Sequence, residues 1–493
     1  MSTENPAPNS SRPSLFRNWL SLSGLVIALG SLFSFLLLFV LDSLAHFANP
    51  YIGVLTYLVA PGFLVLGLGL AILGLLLRRW QIARAGGAAA SAIKIDLSRP
   101  RDRRLMGFFI SGAVAFLLVS AVGSYHTYNF TESVQFCGEA CHTVMKPELV
   151  TYQHGPHARV ACAECHIGPG ATWFVRSKLS GTYQVYATAF DKYPRPIPTP
   201  IRNLRPAQET CEECHWPKKF VGNLDRTYSC FLGDETNSTY TVRLLIKVGG
   251  SDPTHGPVGG IHWHMTVGNT VEYIATDPGR QSIPWVRVTD FQGVVTVFRE
   301  PKFTNDISRY EIRKMDCMDC HNRPAHRYMS PDSAVNLALS LREIDPALPW
   351  IKTNAVYALT HNYKTDREAR DGIATLLAER YPNDPRIRQA IPFVQQIYED
   401  NFFPEMKASW KVYPDNIGHL IWPGCFRCHD GRHKTEDGKR TIKADDCNTC
   451  HTILTQGSGA QLEQITPAGQ KFVHPGDEID PSSLCNECHD GTF

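Results

Sequence analysis

The sequence predicts a membrane protein in which three N-terminal transmembrane α-helices precede a mainly helical and irregular domain with a small β insertion. Three long apolar runs lie within the first 125 of its 493 residues. Seven short cysteine–histidine motifs are spread over the rest, and a motif-free stretch among them is rich in β-branched residues. The formal net charge of +2 disfavours the broad positive surface that binds nucleic acid, so no nucleic-acid partner is expected.

The membrane domain is predicted over residues 1–125. Residues 19–41, 51–77 and 105–124 are almost wholly apolar, and each run is long enough to span a bilayer. The first run is too long for the apolar core of a typical signal peptide. Three such runs together also disfavour buried helices of a soluble protein.

The distribution of basic residues predicts the orientation of these spans. The connection Ser43–Pro50 has no Lys or Arg, whereas the segment between the second and third runs has many. Basic loops stay in the cytoplasm, so the N-terminus is expected there and everything after residue 125 in the periplasm. The predicted location is the cytoplasmic (inner) membrane. The basic residues are Arg78, Arg79, Arg84, Lys94, Arg99, Arg101, Arg103 and Arg104.

The seven motifs are numbered here as sites 1 to 7 in chain order. Six read Cys-x-x-Cys-His, which is typical of c-type haem attachment: two thiols form thioethers with the porphyrin, and the histidine binds the iron. Zinc would not require a histidine after every second cysteine. The sequence therefore predicts a multihaem c-type cytochrome domain with about seven covalent haems. The motif residues are Cys137, Cys141 and His142; Cys162, Cys165 and His166; Cys211, Cys214 and His215; Cys317, Cys320 and His321; Cys425, Cys428 and His429; Cys447, Cys450 and His451; Cys485, Cys488 and His489.

Site 1 differs from the others, since "CGEACH" has three residues between its cysteines. Within this set it is most simply a seventh haem site. The motifs use all 15 cysteines except Cys230, for which a buried, inert thiol is expected. Covalent haem is attached outside the cytoplasm, which agrees with the orientation predicted from the basic loop.

The residues after the membrane domain are predicted to form three parts. Residues 126–225 hold sites 1–3, and residues 226–305 form the β insertion, marked by "TYTVRLLIKV" and "QGVVTVF". Residues 306–493 combine a helical spacer with sites 4–7. In the spacer, "SAVNLALSLREI", "REARDGIATLLAERY" and "RIRQAIPFVQQIYEDN" have helical periodicity, with Asp332 and Asp366 as expected caps.

The chain has 19 histidines, and distal iron ligands are expected among the 12 that lie outside the motifs. We rank these histidines by how close they lie to a motif in the sequence, although this spacing does not show which histidine binds which iron. His262 and His264 would share one face if they lay on a strand, so one is expected to bind while the other packs beside it, with His264 favoured. The alternative for each histidine is an exposed or hydrogen-bonded side chain. The expected ligands are His157, His264, His326, His419, His433 and His474.

The segments "FCGEACHTVMKPEL" and "YQHGPHARVACAECHIGPGATWFVRSK", which follow a transmembrane run, resemble the NapC/NirT/NrfH family over roughly residues 105–220. With "CMDCHNRPAH" and "GCFRCHDGRH", the whole chain resembles the ImcH-type group of inner-membrane heptahaem cytochromes. The resemblance implies that electrons pass from membrane quinol, either menaquinol or ubiquinol, to a periplasmic cytochrome or reductase. Such proteins serve anaerobic or extracellular respiration.

The resemblance also implies roles for particular residues. In the family a methionine two residues after the first motif histidine can replace that histidine on the iron. Met145 is the matching residue but lies three residues after His142, so both remain candidates. A family lysine twelve residues after the second motif histidine lies near the quinol, and Lys178 matches it.

The family's acidic partner of this lysine has no counterpart here. Gln184 and Val185 stand about two helical turns after Lys178. Quinol oxidation releases protons, so a base is expected nearby, and Asp191 and Glu132 are the candidates.

Three functions from different classes are compatible with these patterns. The leading one is a quinol dehydrogenase that conducts electrons along its haems, with the C-terminal site 7 as the exit. The second is a terminal reductase of a nitrogen or sulfur oxyanion, which requires a haem with an open axial position. The third is a relay or anchor subunit of a larger redox complex, without a quinol site.

Overall fold

The computed structural model describes most of the chain and divides into two compact units, Met1–Ala140 and Cys141–Phe493. Each unit is described by itself below. The described residues are 19–45, 55–84, 97–140, 142–168, 171–201, 204–216, 220–249, 259–266, 268–443, 447–476, 479–480 and 483–492.

The first unit contains three helices long and apolar enough to cross a membrane, as predicted. They are α1 (Trp19–Ala45), α2 (Ala60–Arg84, preceded by a π-helical turn at Leu55–Val59) and α3 (Pro100–Thr131). Helix α3 is longer than its apolar run, because Pro100 pre-sets the first helical turn and the helix continues past the predicted boundary at residue 125. Residues 51–54 of the second predicted run lie outside the described residues.

Small residues allow α1 and α2 to approach closely. A Cβ atom on Gly24 would lie 2.3 Å from the backbone nitrogen of Ala71, and one on Gly67 would lie 2.5 Å from that of Ala28. The Ser31 hydroxyl donates to the Ala60 carbonyl at 3.0 Å across the same contact. Close backbone packing of this kind drives helix association in lipid, where the hydrophobic effect between helices is absent.

Most motifs of the second unit lie on very short helical segments. The thioether cysteines must point to one side over a span of four residues, and one helical turn achieves this. Longer helices occur in between. The helices are α4 (His142–Gln153), α5 (Cys162–His166), α6 (Ala171–Ala189), α7 (Ala207–Cys211) and α8 (Cys317–Cys320), with 3₁₀ turns at Gly424–Arg427 and Cys447–Thr449.

Two antiparallel sheets replace the single predicted β insertion. One has the order β1-β2-β7 and the other β5-β4-β3-β6. The sheets are therefore not confined to residues 226–305. Strand β7 begins at the site 6 histidine, far along the chain, and pairs with β2. This pairing satisfies backbone groups of β2 that would otherwise lie unpaired at the edge of the sheet. The strands are β1 (Leu224–Phe231), β2 (Thr239–Ile246), β3 (Thr270–Ile274), β4 (Trp285–Thr289), β5 (Val295–Arg299), β6 (Arg313–Lys314) and β7 (His451–Gly457).

The helical spacer forms the main hydrophobic core of the second unit. Its helices are α9 (Pro331–Ser340), α10 (Ile351–Thr360), α11 (Asp366–Arg380) and α12 (Ile387–Asn401), and α13 (Cys485–Cys488) carries site 7. Helix α10 was not predicted. Fully buried residues from all four spacer helices meet in this core: Leu339, Leu359, Ile373, Leu377 and Val394.

The helix caps lie one or two residues before the predicted aspartates. Ser330 caps α9 and Thr365 caps α11, each accepting a backbone N–H with its side-chain oxygen. Asp332 instead lies inside α9, where its carboxylate forms an ion pair with Lys352 Nζ at 2.7 Å. Because both side chains are almost fully buried, this ion pair is part of the core.

Candidate haem centres

Six of the seven motif histidines face a second histidine from elsewhere in the chain. The ring centroids in each pair are 6.0–6.3 Å apart. The seventh, His142, has no described side chain. The pairs are His166 with His326 (site 2), His215 with His157 (site 3), His321 with His262 (site 4), His429 with His264 (site 5), His451 with His419 (site 6) and His489 with His474 (site 7).

This spacing matches two imidazoles on opposite sides of one iron. A metal–nitrogen bond of about 2 Å on each side, plus about 1 Å from each nitrogen to its ring centroid, separates the centroids by about 6 Å. Rings in van der Waals contact would stack closer together, and unrelated rings would not repeat one spacing six times. The residues present therefore fit haems with two histidine ligands.

The second ring nitrogen of four distal histidines is held by a backbone carbonyl. Nδ1 of His157 lies 2.9 Å from the Pro324 oxygen, and Nδ1 of His262 lies 3.0 Å from that of Val248. Nδ1 of His264 and of His326 make similar contacts, at 2.8 and 2.9 Å. A carbonyl that accepts from Nδ1–H sets the tautomer and leaves Nε2 with its lone pair for a metal, as in most metal-binding histidines.

The other two pairs contain buried nitrogens that lack partners. Nδ1 of His419, His451 and His474 is buried without a hydrogen bond. Orphaned buried polar atoms are rare in native proteins. All three of these atoms belong to the histidine pairs of sites 6 and 7.

Burial favours the neutral imidazole at the motif histidines of sites 2 and 5. Burial, with a smaller contribution from His326, lowers the pKa of His166 to about 4. Burial and the neighbouring His264 likewise lower the pKa of His429 to about 4. The neutral imidazole is the form that binds a metal, so the sites hold their histidines ready for iron.

The motif cysteines are free to form thioethers. None of the 13 described cysteines is in a disulfide, and all but one of them belong to motifs. The exception is Cys230 on β1, where burial raises the pKa of the thiol. Cys141 and the side chain of Cys447 lie outside the described residues.

His433 does not agree with its predicted role as a distal ligand. It is fully buried, its Nδ1 lies 2.9 Å from Asp430 Oδ1, and its Nε2 lies 2.7 Å from the Ile283 carbonyl. Both partners are acceptors, so both nitrogens donate and neither has a lone pair for iron. The requirement for two acceptors is tertiary, and closeness to the site 5 motif could not reveal it.

His262 was passed over in favour of His264, yet both face motif histidines. The segment Ile261–Met265 is a 3₁₀ helix and not a strand. With about three residues per turn, positions two apart point in different directions. One short turn thus supplies the partner of His321 at site 4 and the partner of His429 at site 5. The pattern His-x-His outside any motif was the available signal.

Sites 4 and 5 are also joined through the residues between their cysteines. Arg427 of site 5 is buried and donates through Nη2 to the Asp319 carbonyl of site 4 at 2.6 Å. The Asp319 carboxylate in turn accepts from Arg280 Nη1 at 2.9 Å and from the Tyr273 hydroxyl. These contacts hold the two motifs in one rigid arrangement.

At site 1, Cys137 lies on a π-helical turn, Gln135–Glu139. Such turns insert one residue into a helix, which is what an expanded motif requires. Met145 is half-buried on α4, one turn after His142, the first residue of that helix. Positions three apart share a helix face, so the backbone is compatible with either residue as the iron ligand.

The residues predicted near the quinol lie on or next to α6. Lys178 is half-buried on this helix. Asp191 follows the helix, is largely exposed, and accepts from Arg195 Nη2 at 2.5 Å. The hydrogen bond from Arg195 lowers the pKa of the Asp191 carboxyl. Glu132, the alternative acid, is the C-terminal cap of α3 in the first unit.

Comparisons with known proteins show which proteins the chain resembles. The model of the NapC/NirT cytochrome c family, N-terminal region, matches residues 99–196, which include α3 and sites 1 and 2. The cytochrome c-type protein ImcH of Geobacter sulfurreducens is 42% identical over 482 residues, covering 94% of this chain and 92% of the relative. No solved structure matches the chain.

Proposed function

Since the chain belongs to the membrane-anchored NapC/NirT-type cytochromes c related to ImcH, we propose that it oxidises membrane quinol and passes the electrons to a periplasmic acceptor. Membership in this family implies covalent haem c, electron transfer and anchoring in the inner membrane. We propose in addition that the chain carries seven haems, that quinol is the electron donor, and that the haem domain and the electron acceptor are periplasmic.

The six histidine pairs carry the proposal. Two protein ligands on an iron leave no position for a substrate, so such haems transfer electrons and do not bind oxyanions. A terminal reductase of a nitrogen or sulfur oxyanion needs an open position. Six closed centres favour a conduit, and the distinct site 1 then becomes the place where electrons enter.

The proposed centres comprise seven haems, each attached through its motif cysteines. Sites 2 to 7 take the distal ligands His326, His157, His262, His264, His419 and His474 in that order. At site 1 the ligand is His142 or Met145. The haems supply the redox chemistry, while the chain sets their spacing, ligands and surroundings.

The order of the sites in space supports a route along the motifs. Helix α7, which ends at Cys211 of site 3, packs against helix α8, which begins at Cys317 of site 4, so sites 3 and 4 lie close together. Sites 4 and 5 share the turn Ile261–Met265. The ion pair between Arg432 and Glu487, 3.9 Å, then connects the surroundings of sites 5 and 7. We expect electrons to move from sites 2 and 3 through 4 and 5 towards the C-terminal sites.

Lys178 and Asp191 are proposed to serve the quinol. A half-buried ammonium group hydrogen-bonds a quinol oxygen and stabilises negative charge as a proton leaves. Asp191 accepts a proton poorly while Arg195 holds it ionised, so its role requires that this contact opens. We further propose that the N-terminus lies in the cytoplasm and the haem centres in the periplasm; the basic segment between α2 and α3 supports this orientation.

The test adds a reduced menaquinol analogue anaerobically to the full-length holoprotein in lipid nanodiscs and follows the haem absorbance. Rapid reduction is expected in the wild type. In Lys178→Ala the rate should fall by roughly tenfold or more, the size of a lost general acid–base contribution. Lys192→Ala is the matched control, because Lys192 is an exposed lysine just beyond the same helix.

Failure of quinol to reduce haems that dithionite does reduce would overturn the proposal. It would favour a relay or anchor subunit that receives electrons from a partner protein. A high-spin haem that binds nitrite, outside site 1, would instead favour the reductase.

A further inference from the structure

Helix α6 (Ala171–Ala189) carries a row of exposed apolar side chains. The exposed fractions are 54% for Val175, 69% for Leu179, 64% for Tyr183, 51% for Tyr186 and 63% for Phe190. Phe190 continues the helix, since its N–H donates to the Tyr186 carbonyl at 3.1 Å. Exposed apolar residues are common singly, but a continuous row marks a contact surface.

The row occupies one side of the helix. At 3.6 residues per turn, the five positions fall within an arc of about 80°. The three aromatic rings lie along it, with centroids of Tyr183 and Tyr186 6.3 Å apart and those of Tyr186 and Phe190 5.0 Å apart. Arg176 borders one side of the arc and Lys178 the other. This apolar arc of five residues therefore has a basic residue on each flank.

The helix has little support from the rest of the protein. Among its described side chains only Ala187 is buried. An isolated helix of this length is marginal in water, and most helices in proteins are stabilised by packing of an apolar face. The apolar arc is therefore expected to have a contact surface that lies outside the chain.

We propose that α6 lies in the surface of the lipid bilayer, with the apolar arc in the acyl-chain boundary and Arg176 and Lys178 at the anionic headgroups. Helices of this type combine an apolar face rich in aromatic residues with basic flanks. Tyrosine and tryptophan are enriched at this depth, and Trp173, beneath the Arg176 guanidinium at 5.0 Å, adds a further aromatic ring.

Three observations favour lipid over another protein. The helix has no Asp or Glu, so nothing on it repels an anionic headgroup. The chain is tethered to the bilayer by α3, which ends 40 residues before α6 begins and keeps the local lipid concentration high. The apolar arc also extends about 22 Å along the helix, longer than the face of one porphyrin. The inference concerns lipid contact and stands whether or not quinol is the electron donor.

The experiment places the photocrosslinker p-benzoylphenylalanine at single positions of the full-length holoprotein in nanodiscs that contain phosphatidylglycerol. Leu179 and Phe190 are replaced in the apolar arc. Gln184, an exposed residue on the opposite side of the helix, is the matched control. Mass spectrometry of the α6 peptide then identifies adducts. Lipid adducts are expected at Leu179 and Phe190, with at least fivefold less at Gln184.

Two results would overturn the proposal. Adducts at Leu179 and Phe190 that join α6 to haem peptides or to another polypeptide, without lipid, would show that the arc packs on protein or cofactor. Equal lipid labelling at Gln184 would show that the helix has no preferred face. The basic flank is tested with Arg176→Gln, which should lower the lipid adducts at Leu179 in anionic nanodiscs and leave them unchanged in phosphatidylcholine.

Discussion

His262 and His264 show how one residue position decides which centre a side chain serves. They are two positions apart, but the 3₁₀ turn directs them to His321 and His429, with ring-centroid distances of 6.3 and 6.0 Å. Because one turn supplies both histidines, a shift of its backbone would change the geometry of both centres. A change at one histidine therefore tests one centre, while the backbone N–H groups of Ile261 and His262 still donate to the Lys247 and Val248 carbonyls and keep the turn in place.

We expect His264→Met to convert one centre to histidine–methionine ligation without loss of haem, because the site 5 cysteines remain. Methionine ligation raises the potential, so one component of the redox titration should move up by roughly 100 mV within the about 0.8 V that axial ligands span. His361→Met is the control, since His361 is exposed and faces no motif histidine. An unchanged titration would show that His264 is not a ligand.

His433 is a buried charge and not a ligand. Burial lowers its pKa, but the hydrogen bonds to Asp430 and the Ile283 carbonyl outweigh this, and the net pKa is raised above 6.5. Glu300 lies close to the same group and acts in the same direction. A raised pKa in the folded state means that folding favours the protonated ring.

The raised pKa of His433 determines how the stability of the protein depends on pH. The stabilisation by His433 is complete below its unfolded pKa and is lost as the pH rises through the higher folded value. We therefore expect the melting temperature of the holoprotein to fall above pH 6.5 more steeply in the wild type than in His433→Gln. At low pH that variant should lose about 3 kcal/mol, the cost of breaking a buried pair. Parallel melting curves against pH would contradict the assignment.

At the scale of elements, polar contacts inside the core hold β1 against the helical spacer. Lys352 on α10 forms an ion pair with Asp332 on α9 and donates a hydrogen bond to the Phe231 carbonyl on β1. The Phe231 N–H donates to Asn336 at 2.9 Å. A buried charge is tolerated only when it is paired, so the sheet and the helices depend on each other.

Lys352→Met should reduce the free energy of unfolding by about 3–5 kcal/mol, because the buried Asp332 carboxylate loses its cationic partner. Lys364→Met is the control, as Lys364 is an exposed lysine of the same spacer. In Lys352→Met combined with Asp332→Leu, most of the loss should be recovered. Denaturant unfolding of the holoproteins checks this, and a double variant no more stable than the single one would count against the buried-pair explanation.

At the scale of the whole molecule, the longest described helices are the three membrane spans and α6, and most motifs lie on much shorter segments. Motifs far apart in sequence are brought together by side-chain contacts, such as those of Arg427 with Asp319. The count of centres depends on whether the expanded motif of site 1 accepts haem.

The intact mass of the denatured holoprotein should correspond to seven haems. Cys137→Ala combined with Cys141→Ala should reduce the count to six, because both thioether bonds of site 1 are removed. Cys230→Ala should leave seven, as Cys230 belongs to no motif. Six haems in the wild type would remove site 1 from the electron route and with it the proposed entry point.

Local patterns were enough for much of the fold. Apolar length predicted α1, α2 and α3, and helical periodicity predicted three of the four spacer helices. Helix α10 was missed, since its N-cap is Trp350, which provides no capping side chain that would mark the start of a helix in the sequence. Strand β7 was missed because its partner β2 is more than 200 residues away in sequence, so that no local pattern reports the pairing.

The sequence by itself determined the chemistry of the chain. Each motif holds both cysteines and the proximal histidine within five or six residues, so covalent attachment is a local property. The apolar runs likewise determined the spans, because lipid requires each helix to satisfy its own backbone.

Only the tertiary structure decided which distal histidine faces which motif. His326 lies five residues after the site 4 histidine yet faces His166 of site 2, and His433 beside site 5 faces no motif histidine at all. The physical reason is that the second ligand approaches from the opposite side of the iron. That side is built by whichever segment the fold brings there, and distance along the chain has no bearing on it.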